Sequence, residues 1–261
     1  MANKFYPASE RGHVNFGWLD SHHSFSFGNW HDREKVHFGA LRVLNDDVVV
    51  GGGGFDAHPH ENMEIISIPL KGALSQKDSN GSQSFVYTND VQIMSIGDGA
   101  SHSGFNASHY DAVNFLQIWI FPKQSNLKPR RDQRTFYPEG RKDQWQIIVS
   151  PLAEDHALWI NQDARLALTQ LSAGKTLTYT PTFPGNGVYI FLLDGSVEVD
   201  GIHLQPRDGV GLTDIASVTL TASPSSAPSG STASSAAAGS ATPAAPGSAA
   251  NVLAIEVPMF A

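Results

Sequence analysis

The chain of 261 residues contains no cysteine. Disulfides, thiolate metal ligands and cysteine nucleophiles are therefore excluded, and the composition fits a reducing compartment. Basic residues are few: 17 Lys and Arg stand against 25 Asp and Glu, a formal net charge of -8. A chain of that sign is not built to hold phosphate backbones itself. Direct binding of nucleic acid is not expected, and a role near it would run through a protein partner. No apolar run is long enough to cross a membrane. The N-terminal MANKFYPASERGH lacks the apolar core of a secretion signal. The expectation is a cytoplasmic protein with no membrane partner. Long stretches with a 3.6-residue apolar period are also missing, which argues against a helical fold.

What the chain has instead is short runs of Val, Ile, Phe and Thr, broken by glycine and turn residues. This is the pattern of an all-β protein. Ser24–Phe27 alternates polar and apolar as a half-buried strand does, and Phe38–Leu44 reads as another strand. Asn45-Asp46-Asp47 carries a turn signal, after which Val48-Val49-Val50 restarts a strand. The glycines Gly51 to Gly54 lead into a further β segment with no Gly-Lys-Ser/Thr behind them. They mark a bend at the mouth of a barrel rather than a nucleotide loop. Glu64–Leu70 continues the strand that begins before it, Ala73–Lys77 returns, and Asn80-Gly81 marks a hairpin. Ser84–Thr88 and Val91–Ile96 are further strands, and Asn114–Phe121 is apolar enough for a strand buried on both faces.

The second half repeats this outline. Val188–Gly195 parallels Ile65–Gly72, and Asp200-Gly201 parallels the turn at Asn80-Gly81. The reading is a duplicated β-barrel: an N-terminal barrel over 1–125, a connector over 126–143, and a second, structural barrel over 144–261. Residues 222–250 are almost entirely Ala, Ser, Gly, Pro and Thr. They are expected to be a disordered insertion in a surface hairpin, before Asn251–Pro258 completes the second barrel.

Chemistry concentrates in Ala57-His58-Pro59-His60-Glu61. Residues i and i+2 of a strand share a face, and Pro59 pushes His58 out of the helical region. His58 and His60 would aim two imidazoles at one point, the start of a first-row metal site. Two solvated loop histidines would give the same letters. His102 follows Gly97-Asp98-Gly99, where a sharp turn lets it meet that pair. His13, His22, His23 and His31 lack such spacing and read as surface or packing histidines, and His203 as a packing histidine of the second barrel.

Five segments carry a resemblance: RGHVNFGWLDSHHSFSFGN, FGALRVLNDD, HPHENMEIISIPLKGALSQKDSNG, VQIMSIGDGASHS and LQIWIFP. They cover most of residues 11–122, and in order and spacing they resemble the pirin family. The resemblance implies two cupin (jelly-roll) barrels packed as a bicupin. It also implies one divalent transition metal per chain, typically Fe(2+), held in the first barrel by three histidines and a glutamate. Carried over residue by residue, the histidines are His58, His60 and His102. The glutamate of the family stands two residues after the third histidine, and here that position is Gly104. Three consequences are open: water in the vacant place, Glu64 swinging in across a bend, or a weak or absent metal. The implied activity is quercetin 2,3-dioxygenase, which opens a flavonol ring and releases carbon monoxide, weakened here by Gly104. The alternatives are a metal-dependent adaptor that binds a protein partner, and a cupin that binds a small molecule without redox chemistry.

Overall fold

The computed structural model describes residues 2–78, 83–224 and 249–260, and of residues 2, 57–60, 78 and 100–102 it describes the backbone. Strands and three short 3-10 turns make up the regular structure of the described residues. The chain opens with β1 (Ala2–Tyr6), β2 (Gly12–Asn15), β3 (Leu19–His23), β4 (Leu41–Val49), β5 (Gly54–His60) and β6 (Glu64–Lys71). It continues with β7 (Ala73–Asp78), β8 (Gln83–Tyr87), β9 (Asp90–Ser95), β10 (Ala100–Asn106), β11 (Val113–Ile120) and β12 (Arg130–Thr135). The second half holds β13 (Gln146–Val149), β14 (Arg165–Leu171), β15 (Thr176–Tyr179), β16 (Asn186–Asp194) and β17 (Val197–Val199). It ends with β18 (Ile202–Leu204), β19 (Gly209–Thr213), β20 (Val218–Ala222) and β21 (Ala250–Pro258).

These strands build two cupin barrels, each a large sheet faced by a small one. The first barrel pairs a seven-stranded sheet, β12-β9-β6-β11-β4-β3-β2, with a four-stranded sheet, β5-β10-β7-β8. The second pairs a six-stranded sheet, β1-β19-β16-β21-β14-β13, with β15-β20-β17-β18. The duplication read from the sequence is visible strand for strand, since β9-β6-β11-β4 and β19-β16-β21-β14 hold the same places. Two strands cross the expected division of the chain. β1, from the N-terminus, extends the sheet of the second barrel by pairing with β19. β12, from the stretch expected to be a connector, pairs with β9 in the first.

The two large sheets pack face to face, and period-two alternation assigns their side chains. On β16, Tyr189 and Phe191 enter the core between the barrels, while Val188, Ile190 and Leu192 fill the inside of the second barrel. On β21, Leu253 and Ile255 face the first of these cores and Val252 and Ala254 the second. Strands buried on both faces have no polar side to show, which is why their sequences run continuously apolar.

Several expectations are corrected. Ser24–Phe27 forms no strand; β3 ends one residue earlier. Asn45-Asp46-Asp47 is the middle of β4, paired with β3 on one side and β11 on the other. The strand of His58 and His60 does not continue into Glu64–Leu70, because β5 and β6 lie in different sheets. Asn62 takes a left-handed φ of 48° in the turn between them. The hairpin expected at Asn80-Gly81 lies outside the described residues. So does the insertion at 222–250, except for its ends, where β20 stops and β21 starts.

Asp46 ties the barrels together. Its Oδ2 accepts from Arg207 Nε of the second barrel at 2.7 Å, its Oδ1 accepts from Asn114 Nδ2 at 2.7 Å, and Arg11 Nη1 stands 3.6 Å from Oδ2. Burial pushes the Asp46 carboxyl up, but Arg207, Asn114 and Arg11 together hold it below the usual carboxylate range. Removing one member of a buried ionic cluster strands the others. Asp46→Ala is therefore expected to cost about 3–5 kcal/mol, read as a lower urea midpoint at unchanged m-value. A loss below about 1 kcal/mol would put this contact among ordinary surface pairs.

Candidate functional site

The second barrel is filled, whereas the first encloses a cavity of about 440 Å³. That is a usual size for a small-molecule site, roughly 300–1,000 Å³. Alternate residues line it: Leu19, Ser21 and His23 from β3, Asn45, Asp47 and Val49 from β4, and Phe115, Gln117 and Trp119 from β11. The facing sheet adds Phe55, Leu74, Gln76 and Gly104. The period of two that sends Leu116 and Ile118 into the core between the barrels thus sends their neighbours into the cavity. Aromatic rings brace its walls edge to face, with Trp18 and Phe55 centroids 5.1 Å apart and Phe27 and Trp119 5.4 Å apart.

Among these apolar walls, polar groups collect on β3, β4 and β7. The Ser21 hydroxyl donates to Asp47 Oδ1 in a short contact, and His23 Nε2 lies 2.8 Å from Ser21 Oγ. With the serine proton committed to Asp47, His23 Nε2–H is the donor and Nδ1 keeps a free lone pair. Burial, opposed by the Ser21 bond and reinforced by the neighbouring Asp46 charge, raises the Asp47 carboxyl to about 7. Burial first, then His22, Arg11 and His13, lowers His23 to about 4. His23 Nδ1, Asn45 Oδ1 and Gln76 Oε1 are buried with no hydrogen-bond partner among the described residues.

The residues expected to hold a metal fall on two neighbouring strands of the small sheet. His58 and His60 are on β5 and His102 is on β10, with His102 directly opposite His58 in the backbone register and Ala100 opposite His60. The register shifts between His102 and Gly104, so that Gly104 stands opposite Phe55. Three residues of β5 there span two of β10, the signature of a bulge. Both Gly104 and Phe55 line the cavity, and a Cβ added at Gly104 would meet no atom of the described residues within 4 Å.

Other candidates separate from this site. Glu64 is buried elsewhere: its Oε2 accepts from Ser95 Oγ at 2.8 Å and from the Asn161 backbone N–H at 3.3 Å. Burial, countered by those two bonds and by Arg130, raises its carboxyl. It stands on β6 of the large sheet, across from the small sheet of β5 and β10, with its carboxylate engaged by Ser95 and Asn161, which argues against its swinging in as a ligand. His13, Asp20 and His22 cluster on the β2–β3 hairpin, with His13 Nε2 2.8 Å from Asp20 Oδ1. Their two imidazoles are stacked at 4.4 Å and 16°, so their in-plane lone pairs run side by side and do not converge on one ion. These are surface histidines, as expected, and His31 is exposed too. His203, expected to pack, is instead exposed beside Glu198 at 3.4 Å.

Sequence reasoning missed Asn45, Asp47, His23 and Gln76. The signal for the first two was present but misread, since Asn-Asp-Asp is turn chemistry unless both neighbouring strands and a cavity claim it. His23 is the buried member of the His22-His23 pair because it shares the cavity-facing parity of Leu19 and Ser21.

A family model described as Pirin matches residues 5–120, and one described as Quercetinase C-terminal cupin domain matches residues 147–227. The chain is 38% identical over 215 residues to a quercetin 2,3-dioxygenase of Escherichia coli strain K12, covering 82% of this chain and 91% of that one. It is 37% identical over 217 residues to a pirin-like protein of Caulobacter vibrioides, covering 83% and 93%. The crystal structure of YhhW from Escherichia coli superposes with a TM-score of 0.85 at 32% identity, over 99% of each chain. The structure of bacterial pirin YhhW in complex with nickel(II) gives the same score and identity, covering 99% of this chain and 100% of that one.

The opposed shifts of Asp47 and His23 make a prediction about stability. The folded pKa of Asp47 lies above its ordinary 3.8, so its contribution is greatest at low pH and is lost as pH rises from about 4 to about 7. The folded pKa of His23 lies below its ordinary 6.5, so its contribution is lost as pH falls from 6.5 to about 4. In the intact, metal-free protein the two nearly cancel. Asp47→Asn should expose the histidine alone. Its stability should then fall on acidification by roughly 3 kcal/mol, because each tenfold change in proton affinity is worth about 1.4 kcal/mol. His23→Asn should show the reverse slope, losing stability as pH rises over the same window. Urea midpoints measured from pH 4 to pH 7.5 decide it, and parallel profiles for the three proteins would refute it.

Proposed function

Because the chain belongs to the pirin family, we propose that it is a metal-dependent dioxygenase of flavonols, opening the ring with release of carbon monoxide. The observation that carries this is the cavity: aromatic walls with buried acceptors that have no donor among the described residues, namely Asn45 Oδ1, Gln76 Oε1 and His23 Nδ1. An unpaired buried acceptor costs about 1–3 kcal/mol. A planar ligand carrying several hydroxyl groups repairs that cost, since its rings lie against Trp119 and Phe115 while its hydroxyls donate to the acceptors. The homologues named quercetin 2,3-dioxygenase support the same substrate class.

His58, His60 and His102 are the proposed holders of one divalent first-row ion, Fe(2+) by preference. The nickel(II) complex of YhhW supports an ion of this kind. The backbone fits: directly opposite residues of antiparallel strands have Cβ atoms about 4.5–5.5 Å apart, close enough for two imidazoles to share an ion. Gly104, two residues after His102, has no atom of the described residues within 4 Å of an added Cβ. When bound, the ion supplies the redox and Lewis-acid chemistry of ring opening. The chain's own residues do the rest: the aromatic walls hold the rings and exclude water, and Asn45 and Gln76 orient the hydroxyls.

A second reading, a metal-dependent adaptor for a protein partner, is favoured by one observation: the place of the family's carboxylate is a glycine. Metal content measured by mass spectrometry on untagged protein, beside a His58→Ala/His102→Ala variant, tests the site. Near-stoichiometric metal that disappears in the variant is expected, and equal amounts in both would overturn the ligand set. Carbon monoxide release from quercetin under air then tests the activity. Gly104→Glu has the space to fold, and it should raise turnover severalfold if the pocket is a weakened enzyme. No carbon monoxide from either metal-loaded protein would leave the adaptor reading standing.

A further inference from the structure

We propose that Asp47 is the proton acceptor of the cavity: a hydroxyl of the bound ligand gives its proton to this carboxylate. The proposal rests on reading the cavity as a flavonol site. Among the described residues Asp47 is the only carboxylate that lines it. Ser21 occupies Oδ1, and His23 behind it fixes the serine, while among the described residues no donor is recorded at Oδ2. The carboxylate is thus aimed by one oxygen and left with the other free.

Its surroundings make it a strong base for a carboxylate. Ser21 and His23 face it from β3, Phe115 and Gln117 flank it on β11, and Gln76 and Gly104 line the opposite wall. None of these is a cation at neutral pH, since His23 is held far below its ordinary value. The nearest anion, Asp46, has its own cations: Arg207 and Arg11 sit on the other face of β4 and serve that carboxylate. Burial with no cation leaves Asp47 of the metal-free chain near 7, the value suited to taking and returning a proton at neutral pH. His23 is too weak a base for the task and acts by positioning Ser21.

The step is a proton transfer without oxidation. The ligand O–H bond breaks with its electron pair left on the ligand oxygen, and an O–H bond forms at the free Asp47 oxygen. The negative charge moves from the aspartate to the ligand, so the cavity gains no net charge. The new ligand anion beside it raises the Asp47 carboxyl above its ligand-free value near 7, so the carboxyl keeps the proton: the ligand becomes an anion while no proton reaches the solvent.

The test uses 3-hydroxyflavone, whose single acidic hydroxyl shifts its absorption to longer wavelength on ionisation. It is titrated into the full chain, iron(II)-loaded and under nitrogen, at pH 8. Absorption reports the ionisation of the bound ligand, and calorimetry in two buffers of different ionisation enthalpy counts the protons released. The expected result is a bound anion with close to no proton released. In Asp47→Asn, the ligand is expected either to stay neutral or to ionise with about one proton released. A neutral ligand in the wild-type protein, or an anion accompanied by about one released proton, would overturn the assignment of Asp47 and leave the flavonol reading intact. No binding by the wild-type protein would remove the flavonol reading, and this inference with it. The wild-type proton count decides the matter even if the variant fails to fold.

Discussion

Two adjacent carboxylates in one strand, both taken out of water, set the terms for this molecule. β4 is paired on both sides and buried on both faces, and Asp46 and Asp47 sit next to each other near its end. Alternation sends one to each face. Asp46 meets Arg207, Arg11 and Asn114 in the seam between the barrels and stays ionised. Asp47 meets one serine hydroxyl in a cavity where the described residues bring no other charge, and is pushed up. Burial is common to both, and the presence or absence of cations drives them apart. A pair of like groups with opposed environments is how one fold holds a structural anion beside a proton acceptor.

The duplication explains how the first barrel can be hollow. The two barrels share an arrangement of strands, yet the inside of the second is filled, mostly by aliphatic side chains from Val188 on β16 to Leu220 on β20, with Tyr179 among them. The widest core lies between the barrels, where the rings of Tyr6, Phe25 and Tyr189 meet at steep angles with centroids 5.3–5.8 Å apart. Those two cores carry the apolar burial that stabilises the fold. The inside of the first barrel is then free to hold unpaired acceptors that a folding core would not tolerate. β1 reinforces the arrangement: the first residues of the chain complete the sheet of the last barrel, so the two halves do not separate without breaking a strand pair.

Much of the fold was legible in the sequence. The all-β class, the duplication and the strands β6, β7, β8, β9 and β11 followed from period-two patterns and glycine turns, and the family likeness named the barrels. The exchange of β1 was not legible, because ANKFY reads as any short edge segment and its partner lies about 200 residues away. β12 was hidden by charge: Arg130–Thr135 is an exposed edge strand with no apolar face to betray it. Of the site, the ligand set His58, His60 and His102 comes from spacing and resemblance and is a proposal. The polar groups that line the cavity, Ser21, His23, Asn45, Asp47 and Gln76, were not legible, since local propensity assigns polar residues to turns and says nothing of a hollow interior.

The misreading of Asn45-Asp46-Asp47 is itself informative. Asn and Asp are poor strand residues, and placing them in a doubly buried strand opposes local preference three times in succession. A sequence shaped only for folding would put Val or Ile there, as β16 and β21 do at comparable positions. The conflict is resolved for Asp46 by its two arginines, which turn a liability into the link between barrels. For Asn45 and Asp47 nothing among the described residues resolves it fully: there Asn45 Oδ1 has no partner, and the Asp47 carboxylate has Ser21 at one oxygen. Unrelieved conflicts of this kind concentrate where a protein acts. The same two residues face the cavity, so the relief they lack is of the sort that a hydroxyl-bearing ligand brings.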